Sequence, residues 1–258
     1  MPSGIIGAGL SSGGARTERR DAWWVAPLVV VLVLGSFSIY ALWAALQNAH
    51  YYAPPYLSPF YSPCLAANCE HPTLPLLGSW WNLSPAFLVL WAPLGFRVTC
   101  YYYRRAYYRS FFWSPPACAV KDAAKHYAGE TRFPFLLQNV HRYFFWVSIV
   151  VLAFLWWDAL LAFRFPNGFG IGLGSLVLLL NVALLSLYTF SCHSCRYLAG
   201  GYLDTFHGAS VRYYLWRVAN RLNQRHAQIA WVSLMGVALA DLYVRLVSTG
   251  VIDDLRLF

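Results

Sequence analysis

The chain has 258 residues, of which 59% are hydrophobic, 18% aromatic and only 11% charged. Because soluble domains carry about 25% charged residues, this composition excludes an ordinary water-soluble globule. Nineteen Lys and Arg against ten Asp and Glu leave a net charge of +9. In a soluble protein that excess of positive charge suggests binding to nucleic acid. In a membrane protein the basic residues must first be assigned to the two faces of the bilayer.

Five apolar segments are long enough to cross a bilayer, which takes about 20 residues of helix. They lie at about 25–46, 83–103, 138–163, 171–195 and 226–248. The sequence therefore predicts an all-α membrane protein with five transmembrane helices. Residues 1–20 begin with a Ser- and Gly-rich stretch without apolar periodicity and are predicted to be a disordered tail. Residues 21–258 are predicted to form one membrane anchor domain.

Basic residues are distributed unevenly between the predicted connections. The tail has three Lys and Arg, the region 104–142 has seven and the region 196–225 has five, whereas 47–82 has none. The positive-inside rule then predicts a cytoplasmic N-terminus and an outer C-terminus. The outer segment at 47–82 contains six prolines, which predict an ordered but non-helical cover.

This topology brings Cys and His side chains from four helices to the cytoplasmic end of the bundle. They are Cys100, His141, Cys192, His193, Cys195 and His226. Because polar groups inside a membrane are costly, a functional role is the default hypothesis for such a convergence. Taken one at a time, each could instead be a small buried side chain or a contact with lipid headgroups.

Two redox cofactors fit this set of side chains. Haem b needs two imidazoles, most simply His141 and His226, or either of them with His193. A Rieske-like [2Fe–2S] cluster needs two Cys and two His, and Cys192-x-x-Cys195 predicts two sulfurs one helical turn apart on one face. His193, about 100° around the helix from Cys192, is predicted to lie outside that ligand sphere. Zinc in a Cys2His2 shell is a further chemical possibility.

A second group of Cys and His lies in the outer segment. Cys64, Cys69 and His71 follow one another closely, and His50 is nearby. The outer side of a membrane is oxidising, so a Cys64–Cys69 disulfide is the favoured interpretation. A metal or cluster at these residues is the alternative.

Charged residues form a further predicted layer near the outer surface. Asp158 lies near the outer end of the third helix, and Asp241 stands four residues before Arg245 on the fifth. A buried ion pair explains this layer in structural terms. A proton route or a second quinone pocket is the functional alternative.

The stretch 100–113, CYYYRRAYYRSFFW, is dense in tyrosine and arginine. Arg104, Arg105 and Arg109 would attract anionic lipid. Tyrosine together with arginine is also typical of protein–protein contacts, so a soluble partner docking here is expected. Nucleic acid is not expected as a partner, because no nucleic-acid-binding fold accompanies these residues.

Several segments resemble the membrane anchor of succinate dehydrogenase, in the actinobacterial form with a single five-helix anchor subunit. They are YLSPFYSPC (56–64), TCYYYRRAYYRSFF (99–112), LLQNVHRYFF (136–145), SCHSCRYLAGG (191–201) and RLNQRHAQIAW (221–231). The resemblance covers most of the chain after about residue 20. It implies a multi-pass protein of a bacterial plasma membrane.

The resemblance also implies partners and roles. A flavoprotein subunit would oxidise succinate, and an iron–sulfur subunit docked at Arg104, Arg105 and Arg109 would pass its electrons through the anchor to menaquinone. The implied ligands of a redox centre are His141, His226, Cys192 and Cys195, with Cys100 a substitute for either thiol. The presence of two thiols favours the Rieske-like cluster over haem b. The competing prediction is a small transporter or channel that uses Arg97, Asp158, Asp241 and Arg245.

Overall fold

The computed structural model describes residues 19–69, 80–81, 83–123 and 140–258. Within these ranges the chain forms eight α-helices and two short β-hairpins. The helices are α1 (Val25–Gln47), α2 (Ala86–Val98), α3 (Tyr101–Phe111), α4 (His141–Leu161), α5 (Leu173–Phe190), α6 (His193–Gly200), α7 (Ser210–Asn223) and α8 (His226–Ser248). The antiparallel hairpins pair β1 (Tyr52–Ala53) with β2 (Tyr56–Leu57), and β3 (Arg164–Phe165) with β4 (Gly168–Phe169).

The all-α membrane fold is confirmed, but only four of the described helices are both long and apolar enough to span a bilayer. These are α1, α4, α5 and α8. The expected continuous helix over 83–103 is wrong, because α2 has only 13 residues and is about 20 Å long. Thr99 ends it by donating its hydroxyl to the Gly95 carbonyl at 2.7 Å. Cys100 then adopts extended backbone before α3 begins.

The expected continuous helix over 171–195 is also interrupted. α5 ends at Phe190, and Cys192 has extended backbone with φ −65° and ψ 148° as the N-cap of α6. Its Sγ accepts a hydrogen bond from the Ser194 amide at 3.4 Å. Cys192 and Cys195 therefore do not stand one turn apart on the face of a single helix.

The helices α8, α5, α4 and α2 pack side by side in that order. α8 packs on α5, α5 on α4 and α4 on α2, while α1 contacts α3. α1 is mostly exposed along its length, as expected of a helix that faces lipid. Gly174 allows the Tyr56 ring to lie against the start of α5, since a Cβ there would come within 2.6 Å of that ring.

The described part of the outer segment is ordered and non-helical, as its prolines predicted. Three of its tyrosines, Tyr51, Tyr56 and Tyr61, are almost completely buried. The Cys64–Cys69 disulfide is confirmed. The metal alternative at these two residues is therefore wrong, because both sulfurs are used in the disulfide.

Several sequence expectations concern residues outside the described ranges. His71, the prolines at 72 and 75, and residues 1–18 of the predicted tail all lie there. His50, the other member of the alternative outer site, is described and is exposed in a left-handed backbone conformation with φ 59°.

Candidate metal centre

Two Cys–His pairs lie at the end of the bundle where α4 and α8 begin. His141 Nε2 lies 3.0 Å from Cys192 Sγ, and His226 Nε2 lies 3.4 Å from Cys100 Sγ. All four side chains are at least 97% buried. The chain turns after α2 and α5 supply the thiols, and the first residues of α4 and α8 supply the imidazoles.

A hydroxyl group orients each imidazole. Thr99 Oγ1 lies 2.8 Å from Nδ1 of His141, and Ser191 Oγ lies 2.6 Å from Nδ1 of His226. Each hydroxyl already donates its proton to a backbone carbonyl, Thr99 to Gly95 and Ser191 to Tyr188.

With its proton donated to that carbonyl, each hydroxyl accepts a hydrogen bond when Nδ1 carries the imidazole proton. The Nε2 atom that faces each thiol is then unprotonated, which is the form of histidine that ligates metals. Sequence reasoning missed Thr99 and Ser191. Each stands directly before a candidate ligand cysteine, as Thr99-Cys100 and Ser191-Cys192, and that repeated pattern was the available signal.

Aromatic rings cover both imidazoles. Phe96 stacks on His141 at 4.7 Å between ring centres and 6° between planes. Tyr188 stacks on His226 at 5.1 Å and 18°. The Tyr188 hydroxyl is buried and has no hydrogen-bond partner among the residues that the structure describes. These rings exclude water from the imidazoles.

His193 lies closer to the centre than the helical spacing predicted. Its ring stacks on His141 at 5.6 Å. Possible ligand atoms of His141, Cys192 and His193 all lie within 4.8 Å of one another. The prediction that His193 lies apart from the surroundings of Cys192 is therefore wrong, although its side chain is the exposed member of the three.

Cys195 packs at the edge of the buried cluster that contains Cys100 and Cys192. It is half-buried and lines an apolar groove of about 780 Å³ between α5, α6 and α7. The structure thus places Cys100, and not Cys195, opposite His226.

Burial also affects the protonation of the thiols that follow α5. It raises the pKa of Cys192 to about 12 and raises the pKa of Cys195 above its usual value. Both thiols are therefore protonated at neutral pH without a metal. A metal bound at Cys192 would have to displace that proton.

A large cavity lies beside the centre. Its volume is about 660 Å³, and Tyr102, Tyr103, Arg105, Arg109 and Trp231 contribute to its lining. Tyr102 also packs against His226 at 5.1 Å between ring centres, so one ring separates the cavity from an imidazole. A second cleft of about 350 Å³ adjoins Arg104, Arg105 and Arg109 on α3.

The predicted polar layer is present at the opposite end of the bundle. Asp241 accepts a hydrogen bond from Arg245 Nε at 2.8 Å, and this buried ion pair is confirmed. Tyr40 and Ser58 also donate to Asp241. Asp158 accepts a hydrogen bond from Ser62. The outer cover and the helices are therefore joined through buried carboxylates.

The comparison with protein families gives a clear result. A family model described as actinobacterial succinate dehydrogenase subunit SdhC matches residues 25–250. The chain belongs to this family. The resemblance found in the sequence segments is thereby confirmed, and with it a multi-pass membrane subunit of succinate dehydrogenase.

A solved structure also resembles the chain. It is described as the Mycobacterium smegmatis Sdh1 complex in the apo form, and one of its chains is 44% identical to this one, with a TM-score of 0.89 and coverage of 100% of both chains. No curated protein sequence matches.

Proposed function

We propose that this SdhC-family chain carries electrons as well as anchoring the enzyme. A flavoprotein subunit would pass electrons to the iron–sulfur subunit of succinate dehydrogenase. A Rieske-like [2Fe–2S] cluster held by this chain would supply the one-electron carrier between that subunit and menaquinone. The observation that carries the proposal is the pair of Cys–His contacts in which Nε2 of each histidine faces a thiol.

The residues present fit such a centre. Two Cys and two His are the ligand set of a Rieske cluster, and the two Cys–His contacts support Cys100, His141, Cys192 and His226 as that set. Cys100 takes the place that the sequence had assigned to Cys195. The hydroxyls of Thr99 and Ser191 hold the imidazoles in the ligating tautomer. A bound cluster would supply a one-electron carrier.

The other cofactors fit less well. A haem held by His141 and His226 would need its macrocycle between the two Nε2 atoms, yet each of these already faces a thiol within 3.4 Å. Haem ligation would also leave both thiols unused. Zinc shares the same donor set, but it carries no electrons, and metal analysis distinguishes it from iron.

The cavity of about 660 Å³ is the proposed quinone site. Its size is within the range of pockets for small organic ligands, and the Tyr102 ring separates it from His226. Arg105 and Arg109 on its wall offer charge-assisted hydrogen bonds to a quinone oxygen. The same face of α3 carries Arg104 and is the proposed docking surface for the iron–sulfur subunit.

The transporter alternative gains no support from the described residues. Asp241 and Arg245 neutralise each other, and Asp158 is held by Ser62 in the outer cover. These charges stabilise the packing of the bundle.

The test compares two conservative variants in the purified complex with all subunits. Cys100→Ser is expected to remove the iron of this centre, together with a reduced-state EPR signal of low average g. Cys195→Ser is the matched control, because it makes the same atomic change at a thiol in the separate groove, and it is expected to retain both. Optical spectra of the same samples are expected to show no haem bands from this chain.

Three other results would each contradict a different part of the proposal. Loss of the signal in Cys195→Ser with retention in Cys100→Ser would overturn the ligand set. Haem bands that disappear in His141→Ala would favour haem b. Wild-type complex with no iron beyond that of its iron–sulfur subunit, and no haem, would remove the redox centre and leave only the anchoring role.

A further inference from the structure

Arg97 is a cation among neutral partners. It is the penultimate residue of α2, and its guanidinium donates to the Ala230 carbonyl and to the Ser233 hydroxyl, each at 3.2 Å. It also donates to the Tyr103 hydroxyl and lies 4.5 Å from the centre of the Tyr188 ring. None of these groups carries a negative charge.

The second arginine within the helical bundle shows what is missing at Arg97. Arg245 pairs with Asp241 at 2.8 Å, so the charge of this arginine is neutralised. No carboxylate in the described ranges lies within ion-pair distance of Arg97. Arginine stays protonated in proteins, and an unneutralised charge at membrane depth is costly. A nearby anionic group is therefore expected.

The candidate centre is the neighbour that could carry this charge. The Tyr188 ring lies against Arg97 and also stacks on His226. These two contacts place the guanidinium within about 10 Å of the imidazole. Cys100, whose thiol faces His226, follows Arg97 by three residues.

We infer that Arg97 is the charge-compensating residue of this centre and raises its affinity for an electron. This inference rests on the proposed function. A centre that accepted one electron would gain one negative charge, and the fixed guanidinium would stabilise the reduced state more than the oxidised one. A merely structural arginine would have no such effect on the redox equilibrium.

The first experiment is a potentiometric EPR titration of the purified wild-type complex and of Arg97→Gln. Two charges about 10 Å apart at an effective dielectric constant of about 20 interact by enough to change an equilibrium about tenfold. Arg97→Gln is therefore expected to lower the ratio of reduced to oxidised centre about tenfold at a fixed potential. For a one-electron couple, this is a fall of about 59 mV in the midpoint potential. Arg97→Lys, which keeps the charge, is expected to show less than half of this shift.

A second pair of variants tests the same charge with the arginine in place. Ser233→Asp puts a carboxylate beside the guanidinium and is expected to lower the midpoint potential as Arg97→Gln does. Ser233→Asn introduces a side chain of nearly the same size as aspartate but without its charge. It is expected to leave the midpoint potential close to that of the wild type. This pair decides the question if Arg97→Gln does not assemble.

Arg217→Gln is the matched control for loss of a cation. Arg217 is exposed on α7, and its guanidinium lies over the Tyr213 ring at 5.7 Å. Arg217→Gln is expected to leave the midpoint potential unchanged. An unchanged midpoint potential in Arg97→Gln, or equal potentials in the two Ser233 variants, would overturn the inference while the centre itself stood. A wild-type complex without the signal would instead overturn the proposed function.

Discussion

At the scale of single residues, the proposed site depends on side chains other than its proposed ligands. The hydroxyls of Thr99 and Ser191 each contact a helix carbonyl and the Nδ1 atom of one imidazole. In the arrangement where the hydroxyl donates to the carbonyl, Nδ1 carries the imidazole proton and Nε2 is free to ligate a metal. Hydroxyl-bearing residues are common, and only the contact with Nδ1 marks these two as partners of the proposed ligands.

We predict that Ser191→Ala weakens the centre without abolishing it. His226 would lose its Nδ1 partner, and loss of such an outer contact typically lowers metal affinity by about 10- to 100-fold. Iron retained after challenge with a graded series of chelator concentrations measures the effect.

Ser36→Ala is the control for this variant, since Ser36 is exposed on α1 far from the site in sequence and packing. Iron retention equal to wild type in Ser191→Ala would show that the hydroxyl does not hold the imidazole in its ligating form.

At the scale of secondary structure elements, the important features are two interruptions. α2 stops at Val98 and α5 at Phe190, and each is followed by a cysteine in extended backbone that caps the next helix. A continuous helix would spread thiols at a spacing of 3.6 residues per turn. The turns instead aim one thiol at each imidazole.

Close packing at the start of α5 gives a prediction at this scale. A methyl group on Gly174 would come within 2.6 Å of the Tyr56 ring. That ring is almost completely buried, and its hydroxyl donates to Asp254 at 2.6 Å, so it has little room to move. Gly174→Ala is expected to destabilise the complex by about 1–3 kcal/mol, measured as a lower unfolding temperature in detergent.

Gly35→Ala makes the same change in the middle of α1, where a Cβ would meet nothing within 4 Å. It is expected to be neutral or slightly stabilising, because alanine is the better helix former. If both variants unfold at the wild-type temperature, the Tyr56 contact does not constrain α5.

At the scale of the whole molecule, the bundle has different chemistry at its two ends. One end holds the Cys–His pairs beside a cavity lined by arginine and tyrosine. The other is closed by the disulfide-bonded cover, which is joined to the helices by Asp158 and Asp241. This asymmetry suits a subunit that exchanges electrons on one side only.

The orientation follows from the distribution of basic residues and remains a prediction. We expect the N-terminus on the cytoplasmic side and the C-terminus outside, because 47–82 has no Lys or Arg while the connections on the other side are rich in both. Protease-cleavable tags at the two termini test it. The C-terminal tag should be cut in intact spheroplasts and the N-terminal tag only in inside-out vesicles.

A cytosolic marker that stays uncut in spheroplasts is the control for membrane integrity. The opposite cleavage pattern would invert the topology and would place the Cys–His end outside. A docking surface for a cytoplasmic iron–sulfur subunit would then be impossible on that face.

The sequence by itself predicted the membrane class, favoured the disulfide over a metal site and offered the buried Asp241–Arg245 pair as one of two interpretations. It also carried the resemblance to the actinobacterial succinate dehydrogenase anchor. These depend on composition, on spacing along one helix or on local sequence, and all of these can be read without coordinates. It also identified the residue types gathered at one end of the bundle.

Only the tertiary structure decided which thiol meets which imidazole. Hydropathy averaged over a span does not register a two-residue turn such as Thr99–Cys100, so the sequence predicted one long helix there. The rotation of each helix is set by packing against its neighbours, and that rotation brings Cys100 to His226 and leaves Cys195 in a separate groove. The contacts between the hydroxyls and the imidazoles likewise exist only once the helix ends have met.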